Sequence, residues 1–243
     1  MATQTPVTPL TRTSLAEQAY EVIKRMILEL KLEPGELITE AKLAAMLGIS
    51  KSPIRTALVH LQRDGLVVIT PFKETIVAEL RVEDVRDIYE ARSLIEPYVV
   101  EQVVPRLTED DLAALDQILD RARDSLARED FPEFFLTNNE FHGFFIDKHS
   151  NKQLSSFMAT IDSQMQRIRM ISASIMSHPQ KQMQEHEEIF SAVRRGDAAS
   201  AAARMREHIM RYLDDVLAEV ASGRLRHWFT GWPGRPSSAK ENG

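Results

Sequence analysis

The sequence predicts a mainly α-helical chain in two parts: a small N-terminal module of three helices and two short strands, then an all-α, antiparallel six-helix bundle. Three observations predict it. Residues 41–73, AKLAAMLGISKSPIRTALVHLQRDGLVVITPFK, read as helix, tight turn, helix and two strand-like runs joined by a charged loop. From about Val82 onward, apolar residues recur at helical spacing almost without interruption. The charge also divides along the chain. Residues 1–80 hold nine Lys/Arg against nine Asp/Glu, whereas residues 81–243 hold 21 against 27, so the formal net charge of −6 belongs to the second part.

The first helix has a defined start. Ser14 and Glu17 form an S-x-x-E capping box, and Leu15, Ala19, Val22, Ile23, Met26, Ile27 and Leu30 follow at helical spacing. Pro34-Gly35 breaks the chain. Thr39 caps a second helix carrying Leu43, Ala44 and Leu47, which Gly48 stops. Ser50-Lys51-Ser52-Pro53 opens the third, with proline at an early position where its missing N–H costs little. Ile54, Ala57, Leu58 and Leu61 form its buried stripe, which leaves Ser50, Lys51, Ser52, Arg55 and Thr56 facing outward, with His60 or Gln62 further along.

This order is that of a winged helix-turn-helix, which lays its second motif helix in the major groove of double-stranded DNA. Within 41–73 the cations Lys42, Lys51, Arg55, Arg63 and Lys73 meet a single acid, Asp64, in a chain that is acidic overall. Cations concentrated on one module of an acidic protein point to docking on a polyanion there. Hydroxyls and helix N-terminal amides suit phosphate oxygens, and Arg55 is long enough to reach a guanine edge. The bland alternative is a solvated helix face.

In the second part, helices are expected over Glu83–Val104 (with Val85, Ile88, Tyr89, Leu94, Ile95 and Val99), from Thr108 with Asp111 at its start, over Pro132–Lys148, and over 152–176, 179–194 and 198–221. Gly196 stops the fifth and Asp197 caps the sixth. The domain reading is a flexible arm at 1–12, the DNA-binding module at 13–80, the bundle at 81–222 and a tail at 223–243, whose composition turns to Arg, Trp, Pro, Ser and Gly.

Histidines carry the chemistry of the bundle. Asn138 and His142 are four apart in one helix and share a face. His186 and His208 lie in the fifth and sixth helices; if those helices are neighbours, their imidazoles converge. Three neutral imidazoles and an oxygen donor suit a divalent transition metal such as Zn²⁺, Ni²⁺, Co²⁺ or Mn²⁺. Read blandly, the same histidines cap helices or satisfy core hydrogen bonds.

The segment GELITEAKLAAMLGISKSPIRTALVHLQRDGLVVITP resembles the N-terminal domain of GntR-type bacterial transcription regulators, through the pattern L-A-x-x-L-G-x-S-x-x-P-x-R-x-A-L-x-x-L-x-x-x-G-L-V from Leu43 to Val67. The segments NNEFHGFFIDKHSN, EHEEIFSAVRRGD and AARMREHI resemble the FCD effector domain of that family's FadR branch, over roughly residues 82–221, and six helices place it nearest the VanR subgroup. The resemblance implies DNA contacts at Ser50, Lys51, Ser52 and Arg55, with the wing and its Lys73 at the minor groove. It implies metal ligation by Asn138, His142, His186 and His208, with Zn first and Ni or Mn next. It also implies that Arg92, in EARSLIEP, faces a pocket for a small carboxylate effector: a hydroxy acid, a sugar acid or a di- or tricarboxylate. An internal salt bridge from Arg92 to Glu96 or Glu90 is the alternative.

Two departures stand out in the DNA module. Lys51 replaces a common Arg and lacks its planar fork, and Glu74 occupies a usual Gly position in the wing. In the bundle, Asn138 stands where Asp is frequent, a weaker donor.

The expected protein is therefore a metabolite-responsive regulator, a repressor relieved by its ligand. It pairs as a homodimer because a palindromic operator requires two recognition helices related by a two-fold axis. Zero cysteines exclude a disulfide framework and thiolate metal sites and fit a cytoplasmic setting. No apolar run approaches the roughly 18 residues of a membrane span. Two other readings compete: a bundle that only dimerises, and a metal-dependent enzyme. The second needs a general base beside the metal, and the nearest candidate, Glu140, lies two residues before His142 and so turns away from the ligand face.

Overall fold

The computed structural model describes residues 14–71, 73–173, 179–224 and 229–230. The expected arm at 1–12 lies outside them, as do 225–228 and 231–243 of the expected tail. The chain divides into two compact units, residues 1–77 and 78–243.

In the first unit, α1 (Leu15–Leu28), α2 (Glu40–Leu47) and α3 (Lys51–Arg63) pack beside a small sheet of β1 (Leu37–Ile38), β2 (Val67–Ile69) and β3 (Thr75–Val77). The sheet order is β1-β3-β2, antiparallel throughout, with Leu37 opposite Ile76 and Val68 opposite Ile76 on the other side. β1 is too short to show a periodicity, and the sequence pattern does not predict it.

The caps form as the sequence predicts. Ser14 and Glu17 bond reciprocally at the start of α1. The Thr39 hydroxyl accepts from the Lys42 N–H, and Gly48 ends α2 at φ +66°, a conformation that only glycine adopts without strain. Ile23, Ile27, Leu43, Ile54, Leu58 and Leu61 meet in one core. Truncating one of them, such as Leu61→Ala, should cost about 2–5 kcal/mol. Leu15 is the exception in the α1 stripe, more than half exposed, and Leu30 falls beyond the helix at φ +57°.

The second unit opens with β4 (Leu80–Arg81) and continues through α4 (Val82–Val103), α5 (Glu109–Ala127), α6 (Phe131–Lys148), α7 (Lys152–Ala173), α8 (Pro179–Arg194) and α9 (Ala198–Ser222). The predicted six helices are thus present among the described residues. Thr108 and Asp111 form the capping box of α5, and Asp197 caps α9 after Gly196 at φ +68°. α4 packs most extensively on α9, where the rings of Tyr89 and Tyr212 stack at 5.5 Å. α8 also packs on α9, α5 on both α6 and α8, and α6 on both α4 and α7. His142, His186 and His208 therefore sit on three helices that enclose one interior. Leu94, expected in the buried stripe of α4, is instead 58% exposed.

Within the expected tail, β5 (Phe229–Thr230) pairs in parallel with β4, Leu80 opposite Phe229, and Phe229 is fully buried. Arg167 of α7, also buried, donates from Nη2 to the carbonyl of Ala78. Burial lowers its pKa to about 10.

Candidate metal centre, effector cavity and DNA face

On the DNA face, Ser50 is the N-cap of α3 but its side chain makes no capping bond, which leaves the hydroxyl for another acceptor or donor. Lys51 and Ser52 are exposed in the first turn. Arg55 is also exposed, but its Nε and Nη2 donate to the two carboxylate oxygens of Glu40 at 2.8 and 2.9 Å. Lys42 pairs with Glu36 at 2.9 Å. The count of cations over 41–73 therefore overstates the free charge, because two acids just before that stretch fold back onto it. Lys73 is exposed in the wing, where its N–H donates to the Thr70 carbonyl and the Thr70 N–H to the Glu74 carbonyl.

The bundle brings the three histidines together. His186 Nε2 lies 3.1 Å from His208 Nε2, which lies 3.3 Å from His142 Nε2, and all three rings are buried. Nitrogens bound at about 2.0–2.1 Å around one tetrahedral ion sit roughly 3.3 Å apart, so the spacing fits a single metal ion. Burial is the main reason these imidazoles resist protonation. It pulls His142 and His208 down to about 3, against the opposing pull of Glu96, and holds His186 well below its ordinary value. All three are neutral at pH 7, with lone pairs available for a ligand bond.

Behind two of the rings stand carboxylates. Glu96 Oε2 is 2.6 Å from His142 Nδ1, and Glu185 Oε2 is 2.9 Å from His208 Nδ1. Each carboxylate accepts a hydrogen bond from the Nδ1–H and so fixes the tautomer that turns Nε2 inward, the usual outer partner of a metal-bound histidine. Sequence reasoning misses both in this role. Glu185 directly precedes His186 in EHEE, and Glu96 is visible only once α4 is known to face α6.

Asn138 is buried on α6, one turn before His142. Glu140 faces outward and pairs with Arg121 of α5, so it offers no base at this centre. Of the other described histidines, His60 packs edge-on to Tyr20 and His149 edge-on to Tyr98, while His178 and His227 lie outside the described residues.

Arg92 takes the internal partner. Its Nε is 2.5 Å from Glu96, both groups are buried, and its guanidinium lies over the Tyr89 ring. Burial alone would raise the Glu96 pKa, but Arg92 and His142 together hold it well below the usual carboxylate range. Beside this pair is a cavity of 130 Å³ between α6 and α7, lined by His142, Glu96, Asn139, Asp162, Met165 and Arg169 among others. The cation on its wall is Arg169, which sequence phase alone does not select. Met158, Asp162, Met165 and Arg169 mark the cavity-facing stripe of α7.

Comparison with known proteins bears on the family and the fold. The model described as "Bacterial regulatory proteins, gntR family" matches residues 15–77, and the FCD domain model matches residues 87–211. The HTH-type transcriptional repressor RspR of Escherichia coli K12 is 26% identical over 82% of this chain and 88% of its own. The Nta operon transcriptional regulator of Aminobacter aminovorans is 27% identical over 88% of this chain and all of its own. The structure of E. coli McbR/YncC superposes with a TM-score of 0.74 at 19% identity, covering 86% of this chain and 99% of that one, a likeness of fold. RspR and the Nta operon regulator are both named as transcription regulators. With a winged helix-turn-helix matched to one model and the histidine-bearing bundle to the other, the chain belongs to the GntR family of bacterial regulatory proteins, among the DNA-binding transcription regulators that carry an FCD domain.

Proposed function

We propose that this regulator senses a small carboxylate through a divalent transition metal, Zn²⁺ first and Ni²⁺ or Mn²⁺ next, held by His142, His186 and His208 with Asn138 as an oxygen donor. The observation that carries the reading is the convergence of three neutral Nε2 atoms with Glu96 and Glu185 behind two of the rings. Core histidines without a ligand have no need of three lone pairs aimed at one point. The ion would supply a positive centre at the wall of the cavity, and Arg92 would act through Glu96, keeping it ionised behind His142. Six helices in the body keep the VanR-like subgroup as the nearest branch.

The DNA module would read its operator through Ser50, Lys51, Ser52 and Arg55, with Lys73 on the wing. Two copies would pair to read a palindrome, and the exposed Leu94 and Tyr98 of α4 favour such a pairing. The ligand changes DNA affinity only if it binds the two functional states unequally. RspR is named as a repressor, which supports repression relieved by the ligand.

Thermal unfolding of metal-stripped protein titrated with Zn²⁺, Ni²⁺ and Mn²⁺ tests the reading. A metal at 100 times its Kd should stabilise the native state by about 2.7 kcal/mol, and His142→Ala should abolish the effect. If no metal shifts the wild type, the metal-sensing reading fails.

A further inference from the structure

The lining of the cavity between α6 and α7 divides between a buried cation and a set of acceptors. Arg169 is 3% exposed, and among the described residues it makes no hydrogen bond or ion pair. The neighbouring acid, Glu96, is already shared between Arg92 and His142. Burial lowers the pKa of Arg169 and the Arg92 charge beside it lowers it further, yet a guanidinium stays protonated at neutral pH. A buried cation whose one neighbouring acid is already engaged by two other groups is a costly arrangement that a bound anion would relieve.

Elsewhere the lining offers acceptors. Asn139 Oδ1 is buried without a hydrogen-bond partner. Asp162 accepts from Gln166 at 2.7 Å and keeps further lone pairs, and the exposed Asp147 stands at the rim. Ser155 adds a hydroxyl. A second carboxylate along the ligand would meet Asp162 and Asp147, two like charges. Hydroxyl groups there would instead donate to the Asn139 and Asp162 oxygens. The volume of 130 Å³ limits the ligand to a few heavy atoms.

We propose that Arg169 receives the carboxylate of the effector, and that the effector is a small monocarboxylate bearing hydroxyl groups rather than a di- or tricarboxylate. This deepens, and rests on, the sensing role proposed for the bundle. Arg169 is the anion anchor beside the histidine centre, and Asn139 with Asp162 selects for hydroxyls. A site built around such acceptors penalises an analogue that leaves them unpaired.

The test is calorimetric titration of the Zn²⁺-loaded full chain with three-carbon acids: glycerate, propionate and malonate. Glycerate should bind at least about tenfold more tightly than either of the others. Arg169→Gln should weaken glycerate by about tenfold or more, with Arg169→Lys retaining part of the affinity. Asn139→Leu should narrow the gap between glycerate and propionate. Chelator competition run alongside should give one Zn²⁺ per chain in wild type and Arg169→Gln alike, and the ligand-free melting temperature of Arg169→Gln should be no lower than that of wild type. Malonate binding as tightly as glycerate, glycerate binding unaffected by Arg169→Gln, or no binding of glycerate to the loaded protein would each overturn the proposal. Failure to bind Zn²⁺ at all sinks the metal-sensing role instead. The same titration on metal-free protein then decides Arg169: glycerate affinity lost in Arg169→Gln supports the anchor, and its absence or persistence overturns it.

Discussion

The carboxylate of Glu96 is divided between two partners, with Oε2 2.6 Å from Nδ1 of His142 and Oε1 2.5 Å from Nε of Arg92. One buried acid therefore fixes the tautomer of a histidine and neutralises an arginine. Glu96→Gln keeps the shape but weakens the Nδ1 contact, and should reduce metal affinity by about 10–100-fold, measured by competition with a chromophoric chelator. Unchanged affinity would mean that the Glu96–His142 contact does not tune the site.

The same division makes the pair structurally sensitive. Glu96→Ala strands the Arg92 charge in the core and should destabilise the metal-free protein by about 3–5 kcal/mol, whereas an Arg92→Met/Glu96→Leu double variant should recover most of that loss. Denaturant unfolding of the two variants measures the difference. Equal losses would contradict a cost arising from an uncompensated charge.

On the DNA face, Arg55 must exchange or share Glu40 in order to reach a base. Arg55→Ala should cost about 1–3 kcal/mol of specific binding and relax selectivity at one operator position. Lys73→Ala should weaken binding to all sequences alike and reduce the slope of log K against log salt by about one. Binding isotherms at several salt concentrations separate the two roles, and an Arg55→Ala variant with unaltered base preference would remove Arg55 from the reading set.

Gly48 ends α2 at φ +66°, and a methyl group added at its α-carbon would meet nothing within 4 Å. Gly48→Ala should therefore destabilise the first unit by about 1–2 kcal/mol through backbone strain alone, and Gly48→Asn by less. A loss well above that range, read from thermal unfolding, would point to steric contact instead.

Asp111 caps α5 and accepts from Lys148 at the end of α6, and the Lys148 contact leads the causes that hold its pKa at about 2 against an ordinary 3.8. The folded value is the depressed one, so the unfolded chain takes up its proton first as pH falls. The Asp111 contribution is complete above about pH 3.8 and is lost as pH falls through about 2. The melting-temperature gap between wild type and Asp111→Asn should be constant near neutrality and close over that acid window. A gap that persisted at the acid limit would show that the charge is not its source.

Much of this architecture was legible because local chemistry and periodicity agreed. Ser14–Glu17, Thr39, Thr108–Asp111 and Asp197 mark helix ends by bonds within three residues, and Gly48 by its left-handed conformation, which a sequence displays directly. His142, His186 and His208 were legible as candidates by residue type, but their convergence depends on α6, α8 and α9 enclosing one interior. What stayed hidden depends on which helix faces which. Glu96 is 46 residues from His142, and Arg55 meets Glu40 across 15 residues. Arg169 and Arg167 are two apart on α7, and only the packed bundle assigns one to the cavity and the other to the Ala78 carbonyl. β1 and β5, of two residues each, are too short to carry a pattern.

The pairing of Leu80 with Phe229 brings the beginning of the second unit and the last of its described residues to neighbouring strands, about 4.8 Å apart. It also gives the last helix a latch. A chain cut after Ser222 would keep all six helices, yet it would strip Leu80 of its strand partner and empty the place of a fully buried phenylalanine.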